Sequence, residues 1–226
     1  MEIKMKSLEG MNLSGKKVLL RPDINSPLNA KTGEIVSDDR IVKTIPVIRD
    51  LLDRGAAVAI IAHQGDTLDY QNLTDLSAHA ERIGKLLGRE VEYIDDVCGP
   101  TAVARVKSLK PGEIVILGNL RYLTEEVSTF EKDVKLTAEE YTKTRLVRRL
   151  APLFDLYVNE AFSAAHRNAA SMVAFQELLP SAAGPLLFEE VSQLTSVLHS
   201  AKKPTVFVLG GAKISDAFGM MRPVLE

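Results

Sequence analysis

Short apolar runs alternate along the chain with segments whose apolar residues recur every three or four positions. The runs, rich in Val, Ile and Leu, are typical of buried strands, and the periodic segments are typical of amphipathic helices. Strands are expected at 17–21, 56–62, 91–94, 113–117, 156–160 and 205–210, and helices at 39–53, 76–87, 101–109 and 137–150. This alternation predicts an α/β fold, a three-layer, Rossmann-like parallel sheet with helices on both faces.

Two segments depart from the alternation. Residues 123–137 are charged and lack periodicity, so we interpret them as a long surface excursion within one domain. From Gly184 an amphipathic stretch runs to about Ser200, and a strand, a Gly-Gly turn and a helix start follow. We expect a first domain over 1–180, an interdomain helix over 181–203 and, over 204–226, the first strand-helix unit of an incomplete second α/β domain.

The composition narrows the class of protein. Of the 226 residues, 46% are hydrophobic and 26% are charged, and the net charge of -2 lacks the basic excess expected of a nucleic-acid binder. The lone Cys98 excludes an internal disulfide framework, and no His, Cys and carboxylate cluster has metal-site spacing. Without a signal-like segment or an apolar run of about 18 residues, we expect a cytoplasmic protein that does not contact a membrane.

Arginines and histidines follow several of the predicted strands. In open α/β sheets, ligands bind outside the carboxyl ends of the strands. These positions hold Arg21, Asp23 and Asn25 after the first strand, Arg40 beyond that loop, His63 after the second, Arg121 after the fourth, and His166 and Arg167 after the fifth. Guanidinium groups match phosphate and carboxylate oxygens, so this edge predicts a site for a small polyanion such as a sugar-acid phosphate.

Each of these residues also has a purely structural interpretation. Arg21 is compatible with an internal ion pair, Asp23 with a turn cap, and Arg40 with a solvated helix position. His166 and Arg167, in the segment YVNEAFSAAHRNAAS, are compatible with the start of a helix and a solvated arginine. The anion site is favoured because all of these residues fall on one predicted edge.

Other candidates carry a weaker signal. Gly210 and Gly211 lie between a strand and a helix start, where backbone N–H groups can approach a phosphate and Lys213 can add a charge. The GxxxxGK[ST] pattern is absent, and a Gly-Gly pair is also typical of an ordinary turn. We interpret His79 as a solvated helix residue and Cys98 as a small buried residue.

Six ordered segments resemble motifs of the phosphoglycerate kinase family. The matches are RPDINSPL (21–28) to RVDFNVPL, SDDRI (37–41) to DDTRI, AHQG (62–65) to SHLG, GNLRY (118–122) to ENVRF, VNEAFSAAHRNAAS (158–171) to VNDAFGTAHRAHAS, and LGGAKISD (209–216) to LGGAKVSD. AHQG and INSPL resemble the archaeal branch. The resemblance covers essentially the whole chain and implies the N-terminal half of a family member.

The family transfers a phosphoryl group from 1,3-bisphosphoglycerate to Mg-ADP in glycolysis and gluconeogenesis, giving 3-phosphoglycerate and Mg-ATP by hinge closure of two domains. The resemblance implies that 3-phosphoglycerate binds in the 1–180 domain, at Asp23, Asn25, Arg40, His63, Arg121 and Arg167. It implies that Gly210, Gly211 and Lys213 belong to the ADP/ATP site and that Arg40 and Lys213 stabilise the transferring group. Mg²⁺ enters with the nucleotide, no metal ligand is assigned to this chain, and we expect a monomer.

Three residues depart from the family motifs. Asp66 stands where the SHLGRP motif has an arginine, which places a carboxylate near the substrate unless its side chain points to solvent. Gly118 replaces the Glu of ENVRF, and Ala217 replaces a second lysine after Lys213. Because most of the nucleotide-binding lobe is missing, we expect no kinase turnover from these 226 residues alone. A non-catalytic phosphoglycerate-binding or regulatory protein is the alternative.

Overall fold

The computed structural model describes residues 5–66 and 70–200 (without the side chain of 198), together with 203, 204, 206 and 208. Within this part, strands form one parallel sheet in the order β3-β4-β2-β1-β5-β6. The strands are β1 Lys17–Arg21, β2 Ala57–Ile60, β3 Glu92–Tyr93, β4 Ile114–Ile116, β5 Leu156–Asn159 and β6 Ser181–Ala183.

Helices cover both faces of the sheet. They are α1 Asp39–Asp53, α2 Ser77–Leu87, α3 Pro100–Ser108, α4 Ser128–Val134, α5 Ala138–Tyr141, α6 Arg145–Leu150, α7 Ala170–Val173 and α8 Pro185–Ser200. Short 3-10 turns lie at Leu120–Tyr122, Thr124–Glu126, Ala151–Leu153, Phe162–Ala164 and Phe175–Glu177. The predicted α/β fold is confirmed.

The alternation of side chains along β1 divides the core into two halves. Val18 and Leu20 pack in a cluster with Ile41 and Ile48 of α1 and with α2. Leu19 points to the opposite face and packs in a cluster with residues of α3 and α6. Because successive strand residues face opposite sides, one apolar run supplies both cores.

The predicted helix over 137–150 is interrupted. Helix α5 begins with a capping box formed by Thr137 and Glu140 and ends at Tyr141, and α6 begins at Arg145. Between them the hydroxyls of Thr142 and Thr144 donate to backbone carbonyls three residues earlier. Such local side-chain bonds compete with a continuous helix, which accounts for the break.

Residues 123–137 lie near the surface, as expected, since no residue of α4 is buried, but they form regular structure rather than an irregular excursion. The segment forms a 3-10 turn and helix α4, and Leu123, Phe130 and Leu136 pack against the core. Glu126 is buried, with 5% of its surface exposed. The change from a 3-10 turn to an α-helix within a few residues explains why the apolar positions follow no single period.

The chain divides into two compact units, Met1–Val191 and Ser192–Glu226. Helix α8 matches the stretch predicted from Gly184 to about Ser200. Strand β6, which was not predicted, follows the expected boundary at residue 180 and pairs with β5. The division into three segments stays a prediction. The predicted strand over 205–210 falls mostly, and Gly210, Gly211, Lys213 and Ala217 fall wholly, outside the described residues.

Candidate functional site

The carboxyl ends of β1, β2, β4 and β5 surround a cleft with a volume of about 390 Å³. Five of the predicted substrate residues line this cleft: Asn25, Arg40, His63, Arg121 and Arg167. The sixth, Asp23, contacts Arg40. The parallel topology therefore brings together side chains from loops far apart in sequence. His166 is exposed.

Asp23 connects three loops at the edge of the cleft. Its Oδ2 accepts a hydrogen bond from Nη1 of Arg40 at 2.7 Å and another from the hydroxyl of Ser163. Its Oδ1 accepts from the backbone N–H of Asn25 at 3.1 Å, and the Asn25 Oδ1 accepts from the backbone N–H of Gly65 at 3.1 Å. The loops after β1, β2 and β5 are thus joined through two short polar side chains.

His63 is a neutral imidazole whose proton is on Nε2. Its Nδ1 lies 3.0 Å from Nη2 of Arg21, and because arginine only donates, Nδ1 must be the acceptor. Burial, followed by the positive charges of Arg21, Arg121, Arg167 and Arg40, holds the His63 pKa well below its usual value. The histidine therefore offers one N–H donor without adding a further charge.

Glu126 and Ser171 hold Arg21 through a chain of buried hydrogen bonds. The Ser171 hydroxyl donates to the Glu126 carboxylate at 2.7 Å, and the Ser171 backbone N–H donates to it at 2.5 Å. Arg21 Nε donates to the same hydroxyl at 3.3 Å. Burial raises the Glu126 pKa to about 6, opposed by the bonds from Ser171 and the charge of Arg21. Arg21 is thus held in a buried polar network, and it also contacts His63.

Ser128 joins the two arginines on the other side of the cleft. Its Oγ accepts from Nη1 of Arg121 at 3.0 Å and from Nη1 of Arg167 at 2.6 Å. It donates to Oδ2 of Asp66 at 2.7 Å, and that oxygen also lies 3.3 Å from Nη1 of Arg121. Asp66 therefore does not simply point to solvent. Its carboxylate faces an arginine of the cleft.

The loop after β2 is held by a buried amide pair. Asn119 accepts from the backbone N–H groups of Gln64 and Arg121 and donates to the carbonyls of Gln64 and Thr74. The Gln64 side chain bonds to both backbone groups of Ser26 and to the carbonyl of Asn72. The Asn119 and Gln64 side chains thus hydrogen-bond to backbone groups of the protein itself. The backbone around His63 is therefore fixed in the absence of a ligand.

The prediction that His79 is solvated is wrong. His79 is 1% exposed, and its Nε2 lies 3.1 Å from the Gln64 side-chain oxygen. It lies on the face of α2 that packs on the core beside Ala80 and Ile83. Burial lowers its pKa to about 4, so it is neutral at pH 7. His79 therefore supports the loop through Gln64.

Several contributing residues were not among the sequence candidates: Ser128, Glu131, Glu126, Ser163, Ser171 and Asn119. Glu131 accepts from Arg167 Nη1 at 3.5 Å and from the backbone N–H of Asn168 at 2.8 Å. Ser128 and Glu131 are three residues apart at the start of α4, a spacing that puts them on one helix face. That spacing is the signal by which they could have been found.

A side chain at Gly118 would crowd the backbone of Asp96 and Val97. A Cβ there would lie 3.0 Å from the backbone nitrogen of Val97 and 3.1 Å from the carbonyl carbon of Asp96. The glutamate found here in the ENVRF motif would require these neighbours to move. The glycine that replaces the family glutamate therefore lies where the segment after β4 closely approaches the segment after β3.

Two absences hold for the described part of the chain. There, no group of three or more His, Cys, Asp or Glu side chains is arranged to hold a metal ion. Among the same residues, every helix is too short or too polar to cross a membrane.

Comparison with known proteins agrees with the motifs. The family model for phosphoglycerate kinase matches residues 8–226. Over 209 residues the chain is 43% identical to the phosphoglycerate kinase of Sulfurisphaera tokodaii, covering 92% of this chain and 49% of that protein. Over 223 residues it is 40% identical to that of Methanothermobacter thermautotrophicus, covering 99% and 53%.

A solved structure extends the similarity to the fold. The crystal structure of phosphoglycerate kinase from Pyrococcus horikoshii OT3 superposes with a TM-score of 0.90 at 39% identity, covering 98% of this chain and 52% of that one. The chain spans about half the length of the relatives it matches. Family model, archaeal relatives and fold agree, and the chain belongs to the phosphoglycerate kinase family.

Proposed function

We propose that this chain is the 3-phosphoglycerate-binding half of a phosphoglycerate kinase. The complete enzyme would transfer a phosphoryl group reversibly from 1,3-bisphosphoglycerate to Mg-ADP. The observation that carries the proposal is the convergence of Arg40, Arg121, Arg167 and neutral His63 on one cleft at the carboxyl ends of the strands. Membership of the family supplies the identity of the anion.

The exposure of the arginines suits a small polyanion. The Arg40 and Arg167 side chains are 52% and 31% exposed, whereas Arg121 is 5% exposed and deeper. Each guanidinium has five N–H donors, so donors remain beyond the contacts already made. A ligand with a phosphate at one end and a carboxylate at the other would be bound by charge-assisted bonds at both ends, each contributing about 1.5–3 kcal/mol.

The proposed chemistry needs charge stabilisation more than proton transfer. The acceptor in the reverse direction is a carboxylate that is ionised at pH 7, so no general base is required, and positioning dominates. We assign Arg40 to the substrate side of the transferring group and Lys213 to the nucleotide side. Gly210, Gly211 and Lys213 would contribute to the ADP/ATP site, and Mg²⁺ would arrive with the nucleotide.

The proposal has consequences for the chain alone. Because it spans about half of its relatives, we expect no kinase turnover from these 226 residues, and a coupled ATP assay tests this. The family's role in glycolysis and gluconeogenesis supports a cytoplasmic location. We expect a monomer, which sedimentation analysis tests. The second candidate, a non-catalytic phosphoglycerate-binding or regulatory protein, is favoured by one observation, the Asp66 carboxylate facing Arg121.

Calorimetric titration with 3-phosphoglycerate at low and moderate salt tests the substrate assignment. We expect binding that weakens with salt and is reduced at least about tenfold by Arg167→Ala. The matched control is Arg148→Ala, which removes an exposed arginine on α6. Absence of binding by the folded chain, or equal effects of the two substitutions, would contradict the proposal.

A further inference from the structure

The hydroxyl of Ser128 is the meeting point of two arginines and one carboxylate. It accepts from Nη1 of Arg121 at 3.0 Å and from Nη1 of Arg167 at 2.6 Å, and it donates to Oδ2 of Asp66 at 2.7 Å. A hydroxyl has two lone pairs and one proton, so these three bonds use its full capacity. The arrangement fixes one N–H of each arginine on a single oxygen.

Two guanidinium groups that share an acceptor repel each other unless a negative charge lies close to them. Asp66 supplies that charge, with its Oδ2 3.3 Å from Nη1 of Arg121. On the other side, Glu131 lies 3.5 Å from Nη1 of Arg167 and also accepts from the backbone of Asn168. The free cleft therefore already contains the anionic groups that compensate its arginines.

We propose that Asp66 and Ser128 form a specificity-determining pair that takes the place of the ligand anion in the free cleft. The inference rests on the proposed function, since it concerns the same cleft. An incoming anion competes with the Asp66 carboxylate for Arg121. Asp66 is 26% exposed and can be hydrated when it is displaced, whereas Arg121 stays buried and needs a replacement partner.

This competition selects the charge of the ligand. A monoanion exchanges one negative charge for another and gains little over Asp66. A dianion, such as a phosphate or sulfate group, brings an extra charge to Arg121 and Arg167 and is bound more tightly. The pair thus discriminates against simple carboxylates at this end of the cleft, which an arginine at position 66 would not do.

Ser128 has a positioning role in the same site. Its oxygen holds Nη1 of Arg121 and Nη1 of Arg167 at hydrogen-bond distance, so both donors are aimed at one point before a ligand binds. Loss of the hydroxyl leaves both arginines without their shared acceptor. Ser128→Ala should therefore weaken anion binding, and Ser128→Thr, which keeps a hydroxyl, should restore most of it.

The test titrates the full 226-residue chain with sulfate, acetate and 3-phosphoglycerate, followed by NMR, with circular dichroism to confirm folding. Asp66→Asn keeps the side-chain shape and removes the charge, and it should bind sulfate about three- to tenfold more tightly than the wild type. The matched control Asp133→Asn removes the same charge from an exposed position of α4 and should stay within about twofold. Ser128→Ala should lose about threefold or more.

The outcomes separate the inference from the proposed function. A gain for sulfate in Asp66→Asn, with no binding of 3-phosphoglycerate by any variant, supports the pair and contradicts the proposed substrate. Binding of 3-phosphoglycerate with no gain for either ligand in Asp66→Asn overturns the pair and leaves the substrate assignment standing. No binding of any anion by any folded variant overturns both. Equal gains in Asp66→Asn and Asp133→Asn would mean that the change in net charge alone strengthens anion binding. That result would also overturn the proposed role of Asp66 and Ser128.

Discussion

The guanidinium of Arg40 donates a hydrogen bond to the carboxylate of Asp23 across 2.7 Å, joining the first turn of α1 to the loop after β1. The Asp23 side chain is 11% exposed and the Arg40 side chain is 52% exposed. The carboxylate therefore orients the planar guanidinium while most of its N–H groups stay available to a ligand. An ammonium group in the same place would be a point charge without that geometry.

Arg40→Lys should weaken the binding of 3-phosphoglycerate at least about tenfold, because it removes the planar fork and keeps only the charge. Titration calorimetry on the folded variant measures the change. Arg49→Lys, an exposed position later in α1, is the matched control and should leave affinity within about twofold. Binding by Arg40→Lys at wild-type strength would show that the fork makes no contact with the ligand.

Gly65→Ala should destabilise the chain strongly. Residue 65 has a φ of +70°, and a Cβ there would lie 2.3 Å from the backbone oxygen of Asn72. Gly112→Ala separates the two effects, since residue 112 has a φ of +80° with no atom within 4 Å of the added Cβ. We expect about 1 kcal/mol for Gly112→Ala from backbone strain and at least about 2 kcal/mol more for Gly65→Ala. Urea unfolding measures both, and equal losses would contradict the clash.

Asn119→Ala should lower the free energy of unfolding by about 3 kcal/mol, because it leaves buried backbone groups of Gln64 and Arg121 without their partner. The matched control Asn29→Ala removes an asparagine that bonds to two backbone N–H groups in an exposed turn. Its cost should stay below about 1 kcal/mol. Equal losses in the two urea titrations would mean that burial does not set the cost.

Glu160 should make stability fall as pH rises. Its carboxylate accepts from the backbone N–H groups of Leu186 and Leu187 at the start of α8, yet burial raises its pKa to about 7. In the unfolded chain a glutamate titrates near 4.3, so between these values the unfolded state has lost a proton that the folded state keeps. The Glu160 contribution to the free energy of unfolding should drop by about 3 kcal/mol from about pH 4.5 to about 7. His63 and His79, whose pKa values are lowered by burial, act in the opposite direction, so the Glu160 contribution is read as the difference between wild type and Glu160→Gln.

Glu126 acts in the same direction between about pH 4.5 and its raised pKa of about 6. Glu160→Gln keeps an acceptor for α8 and removes the titration, so its stability relative to wild type should rise by about 1 kcal/mol between pH 6 and 7.5. Urea midpoints at pH 5, 6 and 7.5 for wild type and variant measure the slope. A variant that retains the wild-type slope in the upper interval would assign it to another group.

The sequence was most informative where structure is local. Strand β1 and helix α1 match the predicted ranges 17–21 and 39–53 at both ends, because an apolar run and a helical period are properties of neighbouring residues. The parallel topology then determined which loops share an edge. For that reason the sequence predicts that Arg40, Arg121 and Arg167 lie at one edge of the sheet, and they line one cleft there.

Features that depend on tertiary contacts could not be predicted in this way. Strand β6, with the sequence Ser-Ala-Ala, carries no β-branched residue, and it forms because β5 offers a free edge to pair with. The spacing of His79 from Leu76 and Ile83 places it on the buried face of α2, whereas its polarity alone predicts exposure. The direction of Asp66 depended on Ser128, from a segment without periodicity.

The central place of β1 also has a consequence for biosynthesis. Val18 pairs with Val58 on one side and with Leu156 on the other. At about 5–20 residues per second, the second partner leaves the ribosome on the order of ten seconds after the first. During that interval the nascent chain holds an apolar strand with one edge awaiting its native neighbour, which is the kind of surface that chaperones recognise. The strand that anchors the anion site is thus also the one whose pairing is completed late in translation.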